Sequence, residues 1–178
     1  MGYSLNMMKI ALTLMLFQET QVHTDGLPDY LAGEVHFVHG DLRDIDAVRD
    51  AIRDIDVIYH FGAAVGVGQS MYEIAHYMGT NTQGTANLLQ TVLDAEIKVQ
   101  KLIVASSMSI YGEGNYLCVE CGEVAPLERA MDQLKQKRWE PACPNCGRDL
   151  APIPTRESKP LNVSSYYALS KKDQEEMC

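Results

Sequence analysis

The chain has 178 residues, of which 46% are apolar and 22% charged, as in an ordinary globular protein and unlike a disordered or fibrous one. Its formal net charge of -9 predicts a surface that repels polyanions, so nucleic acid is not expected as a partner. No apolar run reaches the roughly 18 residues of a membrane span, and we expect no membrane association.

An apolar run follows Lys9 and ends at Phe17. A positive charge before a short apolar run is compatible with a signal peptide, but Gln18, Glu19 and Thr20 stand where small residues would mark a cleavage site. Four of the five cysteines form two CxxC pairs, which favours metal binding over disulfides. We therefore expect a cytoplasmic protein.

Short apolar strands alternate with amphipathic helices along most of the chain. The pattern predicts strands over 34–39, 56–61 and 102–105, and helices over 45–52, from about Asn81, and from about Ser165 to the C-terminus. Strands that are apolar on both faces indicate a parallel sheet covered by helices, the doubly wound α/β class. Ligands of this class bind beyond the carboxyl ends of the strands, where Asp41, residues 61–63 and residues 106–107 would gather.

Residues 115–158 break this pattern and are interpreted as an insertion, with the sheet domain formed by 1–114 and 159–178. The insertion contains two CxxCG motifs, and their cysteines are Cys118, Cys121, Cys143 and Cys146. Two such turns close a tetrahedral four-thiolate shell with no open position, so we predict a structural zinc ion and a zinc-ribbon-like fold. Six basic against seven acidic residues in the insertion form no basic patch. Trp139 is either part of its small core or a contact aromatic, and the core is favoured for an insertion of this size.

Tyr167 and Lys171 are four residues apart in the last predicted helix and therefore share one face of it. An ammonium beside a phenol stabilises the phenolate, so Tyr167 is a candidate general base. A YxxxK spacing also occurs by chance on solvated helix faces, and the spacing alone leaves both interpretations open.

Five motifs in order together resemble the extended short-chain dehydrogenase/reductases, and among them especially the nucleotide-sugar epimerases. They are Gly40 to Leu42, His60 to Ala64, Asn81 with Gly84 and Thr85, Ser106 to Gly112, and Tyr167 to Lys171. The resemblance implies an incomplete Rossmann-like domain, NAD as cofactor and a nucleotide-diphosphate sugar as substrate. It also suggests a homodimer, because members of the family are often dimers.

The resemblance assigns roles position by position. Catalytic roles fall to Ser107, which would orient a sugar hydroxyl, to Tyr167 as base, and to Lys171, which would tune Tyr167 and bind the nicotinamide ribose. Cofactor contacts fall to Tyr167 and Lys171 and to six further residues: Asp41, Leu42, Phe61, Gly62, Ala63 and Asn81. For Asp41 and Asn81 a helix cap is the alternative interpretation, and for residues 61–63 a tight turn at a strand end.

The implied reaction is epimerisation, commonly at C4 of the sugar, through oxidation to a keto sugar and return of the hydride to its other face. Dehydratases of the family carry an adjacent Asp and Glu where this chain has Met108 and Ser109, so elimination is not expected. The alternatives are a reductase or decarboxylase of the same family, or a zinc-ribbon interaction module on a degenerate scaffold.

The chain departs from the family pattern at both ends. No glycine-rich turn for the cofactor pyrophosphate precedes Val35, and the family continues beyond its YxxxK helix into a substrate-binding lobe. We therefore expect a truncated member or a fragment, and the resemblance does not establish that the isolated chain is active.

Overall fold

The computed structural model describes residues 10–13, 38 and 40–178, the first four by their backbone only. The chain divides into two compact units. The first comprises the described residues up to Ser107 together with Ser165–Cys178, and the second is Met108–Ser164. The expected insertion, 115–158, lies within the second unit, and its boundaries stay a prediction. Of the strand predicted over 34–39 only Val38 is described, and it forms no strand.

The first unit contains a parallel sheet. Its strands are β1 (Ile10–Thr13), β2 (Val57–His60) and β3 (Lys101–Val104), in the order β1-β2-β3. His60 pairs with Thr13 on one side and Val104 on the other, so the three carboxyl ends lie at one edge. The strands predicted over 56–61 and 102–105 are confirmed. Strand β1 was not predicted, because its four residues lie in the apolar run that resembles a leader.

Helical segments connect the strands of this sheet, and the apolar spacing predicts the first and the last of them. They are α1 (Ile45–Ala51), α2 (Val67–Ser70), α3 (Ile74–Tyr77), a π-helical segment (Met78–Gln83) and α4 (Gly84–Asp94). Asp44 begins α1, because its Oδ1 accepts from the amides of Asp46 at 3.0 Å and Ala47 at 3.2 Å. The helix predicted from about Asn81 therefore exists, but its first turn is a π-helix that α4 continues.

The apolar faces of these elements bury a main cluster, which is separate from a small cluster of Ala64, Tyr77 and Tyr167. The buried members of the main cluster are Leu42, Val48, Ile52, Ile58 and Leu88. Leu42 lies against two glycines: a Cβ on Gly62 would come within 2.7 Å of Leu42 Cδ1, and one on Gly84 within 2.8 Å of Leu42 Cβ. Glycine at these positions lets the chain beyond β2 and the start of α4 close on Leu42.

The second unit contains an antiparallel sheet. It is formed by β4 (Asn115–Cys118), β5 (Gly122–Val124) and β6 (Ala151–Ile153) in the order β5-β4-β6, and the short helix α5 (Met131–Lys135) lies between β5 and β6. Its buried cluster is small: Cys118, Val124 and Cys143, with Tyr116 and Leu150 packed against it. The prediction of Trp139 as a core residue is wrong, because its side chain is 61% exposed.

The C-terminal helix α6 (Tyr166–Met177) returns to the first unit. Ser165 is its N-cap, and the Ser165 hydroxyl accepts from the amide of Ala168 at 3.0 Å. This confirms the helix predicted from about Ser165. In the described part of the chain, no helix combines the length and the apolar character that a membrane span needs.

Candidate active site and metal centre

Helix α6 buries the phenol and the ammonium of the YxxxK motif. Tyr167 is 9% exposed and Lys171 3%, and the Tyr167 ring meets that of Tyr77 edge to face with centroids 6.3 Å apart. A solvated helix face, the alternative for this spacing, is therefore excluded. The same helix reaches the ends of two strands. Gln174 Nε2 donates to the carbonyl of Gly62, beyond β2, at 3.4 Å, and the Ser106 hydroxyl, beyond β3, donates to Glu175 at 3.4 Å.

A buried polar network joins Lys171 to the end of β2. Lys171 Nζ donates to Gln174 Oε1 at 2.7 Å, and Gln174 Nε2 donates to Thr85 Oγ1 at 2.8 Å. His60 Nε2 lies 2.7 Å from that same hydroxyl and 3.1 Å from Gln174 Nε2. Thr85 in turn donates to the carbonyl of Asn81 at 2.7 Å. Side chains from β2, α4 and α6 are thereby fixed against one another.

Burial governs the charges in this network. Desolvation lowers the pKa of His60 to about 4, and the positive charge of Lys171 contributes in the same direction. Burial also lowers the pKa of Lys171 from its ordinary value. At neutral pH His60 is therefore neutral, and it does not repel the neighbouring ammonium.

Asn81 connects the chain beyond β2 with α6. Its Oδ1 accepts from the amide of Ala64 at 2.6 Å, and its Nδ2 donates to the Ala64 carbonyl at 3.0 Å and to Ser170 Oγ at 2.8 Å. Asn81 is fully buried, within the π-helical segment, and does not act as a helix cap. Its predicted part in cofactor binding would be indirect, through the position of these two elements.

The other residues predicted at the sheet edge lie directly beyond two neighbouring strands. Phe61, Gly62 and Ala63 follow β2, and Phe61 is 44% exposed while the two small residues are buried. Ser107 follows β3 and is half-buried. Because β2 and β3 are adjacent and parallel, the structure brings both segments to one edge, where α6 contacts them.

Asp41 and Leu42 have different surroundings. Asp41 is partly exposed, and its carboxylate accepts from the backbone amide of Arg43 at 2.8 Å and from the Arg43 guanidinium. The hydrogen bond from the guanidinium is the main cause that lowers the pKa of the Asp41 carboxyl. Since Asp44 caps α1, the capping alternative for Asp41 does not hold. The Leu42 side chain lies in the core, so only its backbone is available to a ligand. Both cofactor assignments stay predictions.

Four residues of the buried network were not singled out from the sequence for a role. They are His60, Thr85, Ser170 and Gln174. His60, Thr85 and Ser170 stand inside the quoted motifs, and that membership was the available signal. Gln174 stands three residues after Lys171 and therefore on the same helix face, which was a usable signal, but only the structure brings its amide to the end of β2.

The second unit gathers all four predicted metal ligands. The sulfur atoms of Cys118, Cys121, Cys143 and Cys146 lie within 4.8 Å of one another, and the cysteines form no disulfide. A tetrahedral shell with zinc–sulfur distances of about 2.3 Å places its sulfurs about 3.8 Å apart, which this cluster fits. The disulfide alternative is not adopted.

The glycine after each CxxC pair shapes its turn. Gly122 has φ 76° and Gly147 φ 75°, in the left-handed region that glycine enters freely. The backbone amides of Cys121 and Glu120 donate to Cys118 and lower the pKa of its thiol to about 7. Amides directed at sulfur favour the thiolate, which is the form that binds metal.

Comparison with known proteins identifies the relatives of this chain. Residues 14–130 match the family described as the NAD dependent epimerase/dehydratase family. The chain is 40% identical over 90 residues to the low-salt glycan biosynthesis protein Agl12 of Haloferax volcanii, covering 50% of this chain and 28% of the relative. It is 27% identical over 151 residues to the dTDP-L-rhamnose 4-epimerase of Burkholderia thailandensis, covering 83% and 40%.

A solved structure confirms the predicted fold class. A crystal structure of a UDP-glucose 4-epimerase superposes with a TM-score of 0.58 at 25% identity, covering 85% of this chain and 35% of that one. The first unit therefore has the Rossmann-like fold that the resemblance implies. The chain spans well under half the length of these relatives.

Proposed function

The chain belongs to the NAD dependent epimerase/dehydratase family, and from this premise we propose that it carries the catalytic centre of an NAD-dependent nucleotide-sugar epimerase. Ser107, Tyr167 and Lys171 are the proposed catalytic residues. The observation that carries the proposal is the contact of α6 with the ends of both β2 and β3, through Gln174 and Glu175. This contact supports a common site for the tyrosine and lysine of α6 and the serine beyond β3.

The residues at this edge suit a nicotinamide cofactor. Small residues at Gly62 and Ala63 permit close approach of a ligand to the backbone. An ammonium has three N–H donors, and Gln174 accepts from one of them, which leaves two for ribose hydroxyls. Bound NAD would supply the acceptor, and later the donor, of a hydride.

In the proposed reaction the side chains move and hold one proton. Tyr167 Oη, as phenolate, accepts the proton of a sugar hydroxyl, and the C4 position follows from the family resemblance. Ser107 Oγ orients that hydroxyl. Lys171 stabilises the phenolate by its positive charge. Return of the proton from Tyr167 after the keto sugar has turned completes an epimerisation without net redox change.

Met108 and Ser109 favour epimerisation over dehydration within this family. Elimination of water needs an acid and a base beside the serine, and neither of these side chains supplies one at neutral pH. A pure interaction module is less well supported, because it offers no reason to bury a phenol and an ammonium on one helix face.

For the second unit we propose a structural zinc ion bound by Cys118, Cys121, Cys143 and Cys146. Four thiolates complete a tetrahedral shell and leave no position for a substrate or water, so the ion would stabilise the fold and take no part in the reaction.

The decisive experiment is calorimetry of NAD with the 178-residue chain. We expect micromolar affinity, about -8 kcal/mol. Lys171→Met should weaken binding about tenfold, because a charge-assisted hydrogen bond contributes roughly 1.5 kcal/mol. Lys172→Met is the matched control, since Lys172 pairs with Glu176 on the outer face of α6, and should bind as the wild type does.

Tyr167→Phe separates binding from reaction. The variant keeps the ring that packs on Tyr77 and should bind NAD within about threefold of the wild type. Conversion of one nucleotide sugar to its epimer, followed by proton NMR over a panel of such sugars, should be lost. A folded wild-type chain that binds no NAD, or a Tyr167→Phe variant that still epimerises, would overturn the proposal.

A further inference from the structure

Lys171 has an unusual partner for a buried cation. Its side chain is almost fully buried. Its Nζ donates a hydrogen bond to the neutral amide of Gln174, and it forms no ion pair with a carboxylate of the described residues. A buried ammonium without an acceptor is costly, so its position depends strongly on the acceptor that is available.

The Gln174 amide has one orientation that suits its neighbours. Its oxygen faces Lys171, whose ammonium can only donate. Its nitrogen faces the Thr85 hydroxyl, the Gly62 carbonyl and His60 Nε2. The reversed amide would set N–H groups against the ammonium. Gln174 is fully buried, so water does not compete with these contacts.

From this geometry we propose that Gln174 is the positioning residue of Lys171. It holds the ammonium at one fixed position relative to the end of β2 before any cofactor binds. The inference rests on the proposed function in one respect: the fixed position matters because Lys171 would bind the cofactor ribose there. The holding contact itself is independent of that function. A neutral amide suits the task better than a carboxylate, because a carboxylate would neutralise the positive charge by which Lys171 stabilises the Tyr167 phenolate.

The test follows the Lys171 titration by NMR in the full chain with 13Cε-labelled lysine. Gln174→Leu removes the acceptor and should lower the Lys171 pKa by about one unit, whereas Gln174→Glu adds a nearby negative charge and should raise it by at least about one unit. Thr91→Val is the matched control, because Thr91 is a buried hydroxyl of α4 that bonds Asn87. It should leave the titration of Lys171 unchanged.

Calorimetry supplies the second readout. With Lys171 no longer held, Gln174→Leu should weaken NAD binding about tenfold. Unchanged titration of Lys171 in both Gln174 variants, or an equal change in Thr91→Val, would overturn the proposal. So would full NAD affinity in Gln174→Leu while Lys171→Met binds weakly. If Gln174→Leu does not fold, Gln174→Glu decides alone by the direction of its shift. A wild-type chain that binds no NAD contradicts the proposed function, and the titrations still decide whether Gln174 holds Lys171.

Discussion

His60 is a buried base beside a buried cation. Its ring is 1% exposed at the end of β2, and burial together with Lys171 lowers its pKa to about 4. The folded state therefore disfavours protonated His60. Its contribution to stability is present above the unfolded pKa of about 6.5 and is lost as the pH falls from there towards 4.

We predict that this single group makes the free energy of unfolding fall by about 2 kcal/mol between pH 7 and pH 5. His60→Asn should remove that part of the pH dependence. The measurement is urea unfolding, followed by circular dichroism at both pH values. The change in the free energy of unfolding between pH 7 and pH 5 is then compared between variant and wild type. Thr91→Val changes a buried residue of α4 that carries no titratable group, and it should keep the pH dependence of the wild type. Equal pH dependence in His60→Asn and wild type would contradict the assignment.

The sequence singled out the proposed catalytic residues of α6 but not the side chains that pack around them. Tyr167 and Lys171 were found because a four-residue spacing on a helix places two side chains on one face, which is a local rule. Gln174 and Thr85 are 89 residues apart in the chain and meet only through the packing of α6 on α4. No local pattern encodes such a contact. Asn81 is predicted to contact the cofactor, whereas in the structure its side-chain amide forms hydrogen bonds with Ala64 and Ser170.

Leu42 determines how closely α4 approaches the loop before α1. Its side chain lies between Gly62 and Gly84, with room at neither position for a Cβ. We predict that Gly84→Ala destabilises the first unit by about 1–3 kcal/mol, because the added methyl overpacks a filled core. Urea unfolding of the variant measures this.

Gly68→Ala is the matched control for that substitution. Gly68 lies within α2, and a Cβ there meets no atom within 4 Å. Alanine should therefore be neutral or stabilise the helix by up to about 1 kcal/mol. In the Leu42→Ala background Gly84→Ala should cost much less than in the wild type, and equal costs in the two backgrounds would show that Leu42 is not the obstacle.

At the level of elements, prediction succeeded where apolar periodicity was strong. Strands β2 and β3 and helices α1, α4 and α6 lie where the pattern placed them. Strand β1 lies in the apolar run between Lys9 and Phe17, and a short apolar run after a positive charge is equally compatible with a leader. The π-helical segment has no compositional signature. Trp139 was assigned to a core on size alone, but the cluster of the second unit is already closed by Val124, Tyr116 and two cysteines.

The two units of the molecule have different means of stabilisation. The main cluster of the first unit has five buried apolar residues and five partly buried ones packed against it, whereas the described cluster of the second contains three buried residues, two of them cysteines. A unit of this size has little apolar surface to bury, so a metal ion would supply much of its folding free energy. The cysteine spacing made this site predictable, since two CxxCG turns encode a closed shell locally.

We predict that removal of metal by a strong chelator unfolds the second unit and leaves the parallel sheet of the first unit folded. The chain as purified should contain about one zinc ion, and Cys143→Ser should lower this content and abolish the dispersed amide signals of β4, β5 and β6 in the NMR spectrum. Cys178→Ser is the control, because Cys178 lies outside the four-thiol cluster and should retain both. A chelated chain that keeps the signals of the antiparallel sheet would show that the second unit folds on its small core alone, and that the four thiols are not its means of stabilisation.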